Sequence, residues 1–174
     1  MLRCRGCVSG SLILAIIAAW TSGRCGAADD IRPTDAAAAA SPIDQLQRDA
    51  ENGNVKAEYV LGCCYNGDHG FPREPEKAVK WWRIAADKGL ADAQFCLGLS
   101  CFLGEGVAKD VAEAAKWWRM AADQDQMDAQ YFLGLSYHTG LGVPKSTQLA
   151  VYWLKRSADH GSKPAIDLLK QIGT

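Results

Sequence analysis

The stretch Ala129-Gln130-Tyr131-Phe132-Leu133-Gly134-Leu135-Ser136-Tyr137-His138-Thr139-Gly140-Leu141-Gly142-Val143 decides the fold, because its anchor residues recur at a spacing of 36. Ala129 repeats Ala93 and Ala57 and returns as Ala165. Leu133 repeats Leu97 and Leu61, Gly134 repeats Gly98 and Gly62, and Gly142 repeats Gly106 and Gly70. Tyr65, Cys101 and Tyr137 share a slot. Outside the stretch the same register holds for Ala78, Ala114 and Ala150, for Trp81, Trp117 and Trp153, and for Ala50, Ala86, Ala122 and Ala158. A period of this length without insertion signals a stacked array of small units.

Each unit reads as two helices. Ala57, Leu61 and Tyr65 fall at i, i+4 and i+8, one stripe of a helix, and place first helices near 55–66, 91–103 and 127–139. Glycine at 62, 98 and 134 lies mid-helix, where it costs about 1 kcal/mol against alanine. Its repetition implies close approach of a partner helix. Gly104-Glu105-Gly106-Val107 and Gly140-Leu141-Gly142-Val143 are turns, with the first glycine ending the helix in a left-handed conformation.

Second helices follow near 75–88, 111–124 and 147–160, with Ala78, Trp81 and Ala85 and their counterparts as the expected buried stripe, and Trp82 and Trp118, in the column of Leu154, as core or inter-repeat packing. Asp110 with Glu113 reads as a capping box, Pro75 as a first helical residue after Glu74, and Ser146 as a cap. A lone helix from Ser41 to Glu51 fills the second-helix slot of a leading half-unit, and Ala165 to Ile172 is a partial first helix. Each unit leaves an apolar face for its neighbour to cover.

The N-terminal 28 residues read as a signal peptide. Arg3 and Arg5 precede an apolar run from Leu12 to Trp20, and Gly26-Ala27-Ala28 suits cleavage. The run is about half the roughly 20 residues of a membrane span. Cys25 invites a lipid anchor, but Arg24 stands where a lipidation motif has a small residue. Residues 29–42 form an expected flexible leader, and 43–172 the repeat domain, with units near 55–90, 91–126 and 127–162.

Removal of the peptide discards three arginines and takes the net charge from −1 to −4, which disfavours a nucleic-acid partner. Cys63, Cys64, Cys96 and Cys101 remain. They lack metal-ligand spacing, and His69, His138 and His160 lie in different elements. A Cys64–Cys101 disulfide is one arrangement and buried free thiols the default. The glycine turns have no preceding strand and are read as caps rather than phosphate loops. No cofactor is expected, nothing points to catalysis, and oligomeric state is not specified.

The set Ala129, Leu133, Gly134, Tyr137, Gly140, Gly142, Val143, Ala150 and Trp153, with the pairs Ala85-Ala86 and Ala121-Ala122, resembles the Sel1-like repeat, a relative of the tetratricopeptide repeat. Asp68, Asp125, Cys101 and Ser157 depart from that pattern. The resemblance implies an all-α, right-handed α/α superhelix of three 36-residue helix-turn-helix repeats with partial capping helices, acting as a scaffold for protein complexes. Cysteine-rich members, described as penicillin-binding or β-lactamase-like, carry a regular cysteine pair in each repeat, and this chain has no such pair.

The inner face of the first helices is the expected contact surface for a protein or peptide. Taken at i, i+3, i+7 and i+10, it comprises Lys56, Tyr59, Cys63 and Asn66, then Asp92, Phe95, Leu99 and Phe102, then Asp128, Tyr131, Leu135 and His138. Aromatics flanked by acids suit a segment with apolar anchors and a positive charge. An exported adaptor is the reading; a β-lactamase-like hydrolase or a glycan-binding module using exposed aromatics are the alternatives.

Overall fold

The computed structural model describes residues 42–68 and 71–173. The expected signal peptide at 1–28 and the leader up to residue 41 lie outside the described residues. The described residues form helices and no strand: α1 (Pro42–Glu51), α2 (Val55–Tyr65), α3 (Pro75–Asp87), α4 (Ala91–Leu103), α5 (Val111–Asp123), α6 (Met127–Thr139), α7 (Thr147–Asp159) and α8 (Lys163–Ile172). Each helix packs mainly on its neighbours in sequence, so the chain is an all-α solenoid of the expected units α2–α3, α4–α5 and α6–α7.

The boundaries follow from local chemistry. Asn54 accepts from the N–H groups of Lys56 and Ala57, and Asp110 from those of Ala112 and Glu113. Gly104 and Gly140 end α4 and α6 at φ of 78° and 82°. Two cap expectations need correction. Glu113 does not return a bond to Asp110; its carboxylate accepts from Trp117 Nε1 at 3.2 Å, while the Asp110 N–H is held by the Cys101 carbonyl at 2.9 Å. In the first unit, where Asp68 replaces glycine, α2 stops earlier and Gly67 supplies the left-handed residue at φ 93°.

Glycine is required where helices touch. A Cβ on Gly62 would lie 2.5 Å from the Trp82 ring, on Gly98 2.5 Å from Trp118 Nε1, and on Gly134 2.7 Å from Leu154 Cγ. The second glycine of each turn serves the next contact out: a Cβ on Gly106 would sit 2.3 Å from the Pro75 carbonyl oxygen, and on Gly142 2.1 Å from that of Val111. One glycine therefore closes the hairpin, and the other seats the turn on the preceding unit.

Of the two tryptophan columns expected to be covered, the second is the uniformly buried one and the first is only partly so. Trp82, Trp118 and Leu154 form the uniformly buried column, whereas Trp81 and Trp117 are half-buried and only Trp153 of that column is fully covered. The physical reason is the glycine seat, which selects the side chain one residue later. Trp118 also contacts Phe102 and Phe132, with ring centroids 5.5 and 5.1 Å away, and so ties the second unit to the third.

Cys63, Cys64, Cys96 and Cys101 are buried thiols that form no disulfide among the described residues. Burial, with Cys63 and Asp68 adding to it, pushes the Cys64 thiol up to about 11. Burial also raises Cys101, with a further push from Glu113.

Two outcomes follow. Gly98→Ala is expected to lower stability by about 1–3 kcal/mol in urea titrations through overpacking against Trp118. In a Trp118→Ala background the same change should cost less by about 1 kcal/mol or more, because only the Ala114 carbonyl oxygen, 3.2 Å away, still crowds the added methyl; equal effects in both backgrounds would remove the seat. At about pH 8, iodoacetamide should leave the four described cysteines unlabelled in the native protein and label them all in denaturant, because the thiolate is the reactive form. Peptide mass mapping that finds native Cys64 quickly alkylated would contradict this.

Candidate partner-binding face

The first-helix face is not one continuous strip. Phe95 and Leu99, taken from sequence as contact residues, are buried at 4 % and 9 % exposure, and Cys63, the first-unit counterpart of Leu99, is buried too. All of α4 from Ala93 to Cys101 is covered, because this helix is packed between units on both sides. The Phe95 ring lies 5.7 Å from that of Phe132, which makes it part of the junction between units. Phe102 is half-buried, with the Trp118 ring on one side, centroids 5.5 Å apart. On its other side Lys109 Nζ stands 5.7 Å from the centre of the Phe102 ring, a cation–π contact.

The accessible part of the face is at its two ends. In the first unit Lys56 is exposed, while Tyr59 and Asn66 are half-buried, Tyr59 against the main core and Asn66 as the residue that ends α2. Asp92 is half-buried in the first turn of α4. In the third unit Asp128, Tyr131, Leu135 and His138 are all half-buried along one side of α6, and the Tyr131 ring meets Phe132 edge-on at 5.4 Å. The structure thus brings together the third-unit residues and leaves the second unit as filler between the ends.

A buried polar column in the same helices escaped the sequence reading. Glu58, Gln94 and Gln130 are 36 apart and no more than 1 % exposed. Gln94 Nε2 donates to the Ala86 carbonyl at 3.1 Å, and Gln130 Nε2 to that of Ala122 at 3.3 Å, so each amide holds the last turn of the preceding helix. Gln124 Nε2 in turn donates to Gln94 Oε1 at 2.8 Å. The available signal was a polar residue recurring in the register of an otherwise apolar helix.

The second helices add charged contacts between units. Arg83 pairs with Glu113 at 3.7 Å. One unit later Leu149 stands in the glutamate's slot, and Arg119 instead donates to the Tyr137 hydroxyl and lies 5.3 Å from the Trp153 ring centre. Arg156 approaches the same ring at 5.2 Å. Trp153 is therefore enclosed where Trp81 and Trp117 are not. With Trp82, Trp118 and Trp153 buried, these rings offer no platform for a sugar.

Asp125 carries the one positive φ of a non-glycine among the described residues, 63°, in a column otherwise filled by Gly53, Gly89 and Gly161. Its carboxylate pairs with Arg156 and accepts from Gln130 Nε2 at 3.1 Å. The hydrogen bond from Arg156 is the main cause that holds this carboxyl below its usual range.

Among the described residues no cluster of metal-ligating side chains occurs, and no helix is long and apolar enough to cross a membrane.

The comparisons agree with this geometry. The family model for the Sel1 repeat matches residues 55–90, 91–126 and 128–162. A Sel1 repeat protein from Oxalobacter formigenes superposes with a TM-score of 0.67 at 35% identity, covering 73% of this chain and 96% of that one. The protein c5321, a protective antigen of uropathogenic Escherichia coli strains with an SLR fold, gives 0.72 at 38% identity over 74% of this chain and 27% of its own. Helicobacter pylori cysteine rich protein B, at 22% identity and a TM-score of 0.58, shares the fold. No curated protein matches the sequence. The three matched repeats, in the register that the glycine seats impose, place this chain in the Sel1 repeat family.

Proposed function

We propose that this protein is an exported scaffold that holds a protein or peptide partner on its first-helix face. Sel1 repeats generally mediate protein interactions. The observation that carries the finer reading is that Tyr131 and Leu135, in a row with Asp128 and His138, stay half-exposed on α6, while their α4 equivalents Phe95 and Leu99 are buried. Aromatic and aliphatic groups beside an acid suit a partner segment with an apolar anchor and a cation. The proposed site therefore narrows to the third unit, with Asp92 and Phe102 at its margin and Lys56, Tyr59 and Asn66 at the far end. Export rests on the sequence pattern of residues 1–28.

Two measurements test this reading. Affinity capture from the native host should recover a partner with wild type and lose it roughly tenfold with Tyr131→Ala/Leu135→Ala, helicity being unchanged. Equal recovery would remove the face from the reading. Mass spectrometry of protein expressed with its native N-terminus should find a chain beginning near Asp29 outside the cytoplasm; an uncleaved cytoplasmic chain would reject export.

A further inference from the structure

The polar column of the first helices changes character at the α1–α2 junction. Gln94 and Gln130 each use an amide N–H to bind a carbonyl eight residues earlier. In the 36-residue register that carbonyl belongs to Ala50 of α1, and the residue in the glutamine's slot is Glu58. An ionised carboxylate accepts hydrogen bonds and donates none. Glu58 Oε1 is held by Lys88 Nζ, and Oε2 is buried with no hydrogen-bond partner. Where the later junctions have a donor, this one has a second acceptor.

The packing of α1 is correspondingly slight. Ala50 is its one buried side chain among the described residues, with Ile43 and Leu46 half-buried. These residues join Ala57 and Leu61 in a small cluster separate from the main core. Lys88 supplies the remaining tie, reaching both Glu58 and the Gly53 carbonyl, the latter at 3.3 Å. Its side chain is 39% exposed, so the tie is open to solvent. The equivalent residue of the next unit, Gln124, makes its bond to Gln94 as a neutral amide.

We propose that α1 is a detachable cover: it leaves α2 while the three repeats stay folded, and its departure bares the apolar face of Ala57, Leu61 and Trp81. The missing donor at Glu58 is what sets this junction apart. Replacing the charged pair by the amides of the next unit should therefore fasten the helix.

Hydrogen exchange on the full chain reads this directly. In wild type, amides of residues 46–51 should exchange at least roughly tenfold faster than those of α5. Glu58→Gln/Lys88→Gln should slow residues 46–51 by about tenfold and leave α4 to α7 unchanged. Exchange of 46–51 as slow as α5 in wild type, or unaltered in the double variant, overturns the proposal. Should the double variant fail to fold, trypsin decides on wild type alone. Cleavage after Arg48 that leaves the repeats intact supports a detachable α1, and resistance at Arg48 overturns it.

Discussion

The seating of a bulky side chain on a bare helix backbone sets the geometry of everything else. Trp82 lies against Gly62, Trp118 against Gly98 and Leu154 against Gly134, each closer than any Cβ would permit. The contact fixes the distance between the two helices of a unit and turns the alanines 78, 114 and 150 into fully buried contact points. A glycine that weakens an isolated helix by about 1 kcal/mol is thus retained because burial of a large side chain contributes more. The glycines of the turns extend the same logic outward, since Gly106 and Gly142 rest on the backbone that opens the preceding second helix.

Stacking helices in this way buries helix ends, and their carbonyls need donors. Gln94 and Gln130 meet that need for α3 and α5. Ser157 Oγ donates to the Met127 carbonyl at 2.9 Å where alanine stands in the other units. The repeats of this chain therefore carry two layers, an apolar one that sets spacing and a polar one that ties one helix to the next. Glu58 interrupts the second layer while leaving the first intact.

Much of the fold was legible before any coordinates. Alanine, leucine and glycine recurring at 36 residues placed the helices within one or two residues of their observed ends, and the mid-helix glycines announced a close approach. What escaped depended on side-chain direction. Adjacent tryptophans at 81 and 82 look alike in a list of residues, and only the glycine beneath one of them selects it. Phe95 and Leu99 share a helical face with Asp92, yet neighbouring units cover that face in the middle of the stack and leave it open on α6. The candidate site was therefore readable as a face but not as an exposed length of it. The glutamine column was readable in principle, being periodic, but polar residues in an apolar stripe draw little notice without the carbonyls they meet.

Repeats that interact only with their neighbours form a structure whose length is a variable and whose register is not. Inserting a second copy of residues 91–126 after Gln126 would present another Gly98 to another Trp118 and another Gln94 to another Ala86 carbonyl slot. Circular dichroism of the lengthened protein is the most direct test of this account. A mean-residue helical signal maintained or raised, with a thermal midpoint no lower than that of the parent, is the result the account predicts. A fall in mean-residue helicity, as the added 36 residues fail to stack, would contradict it.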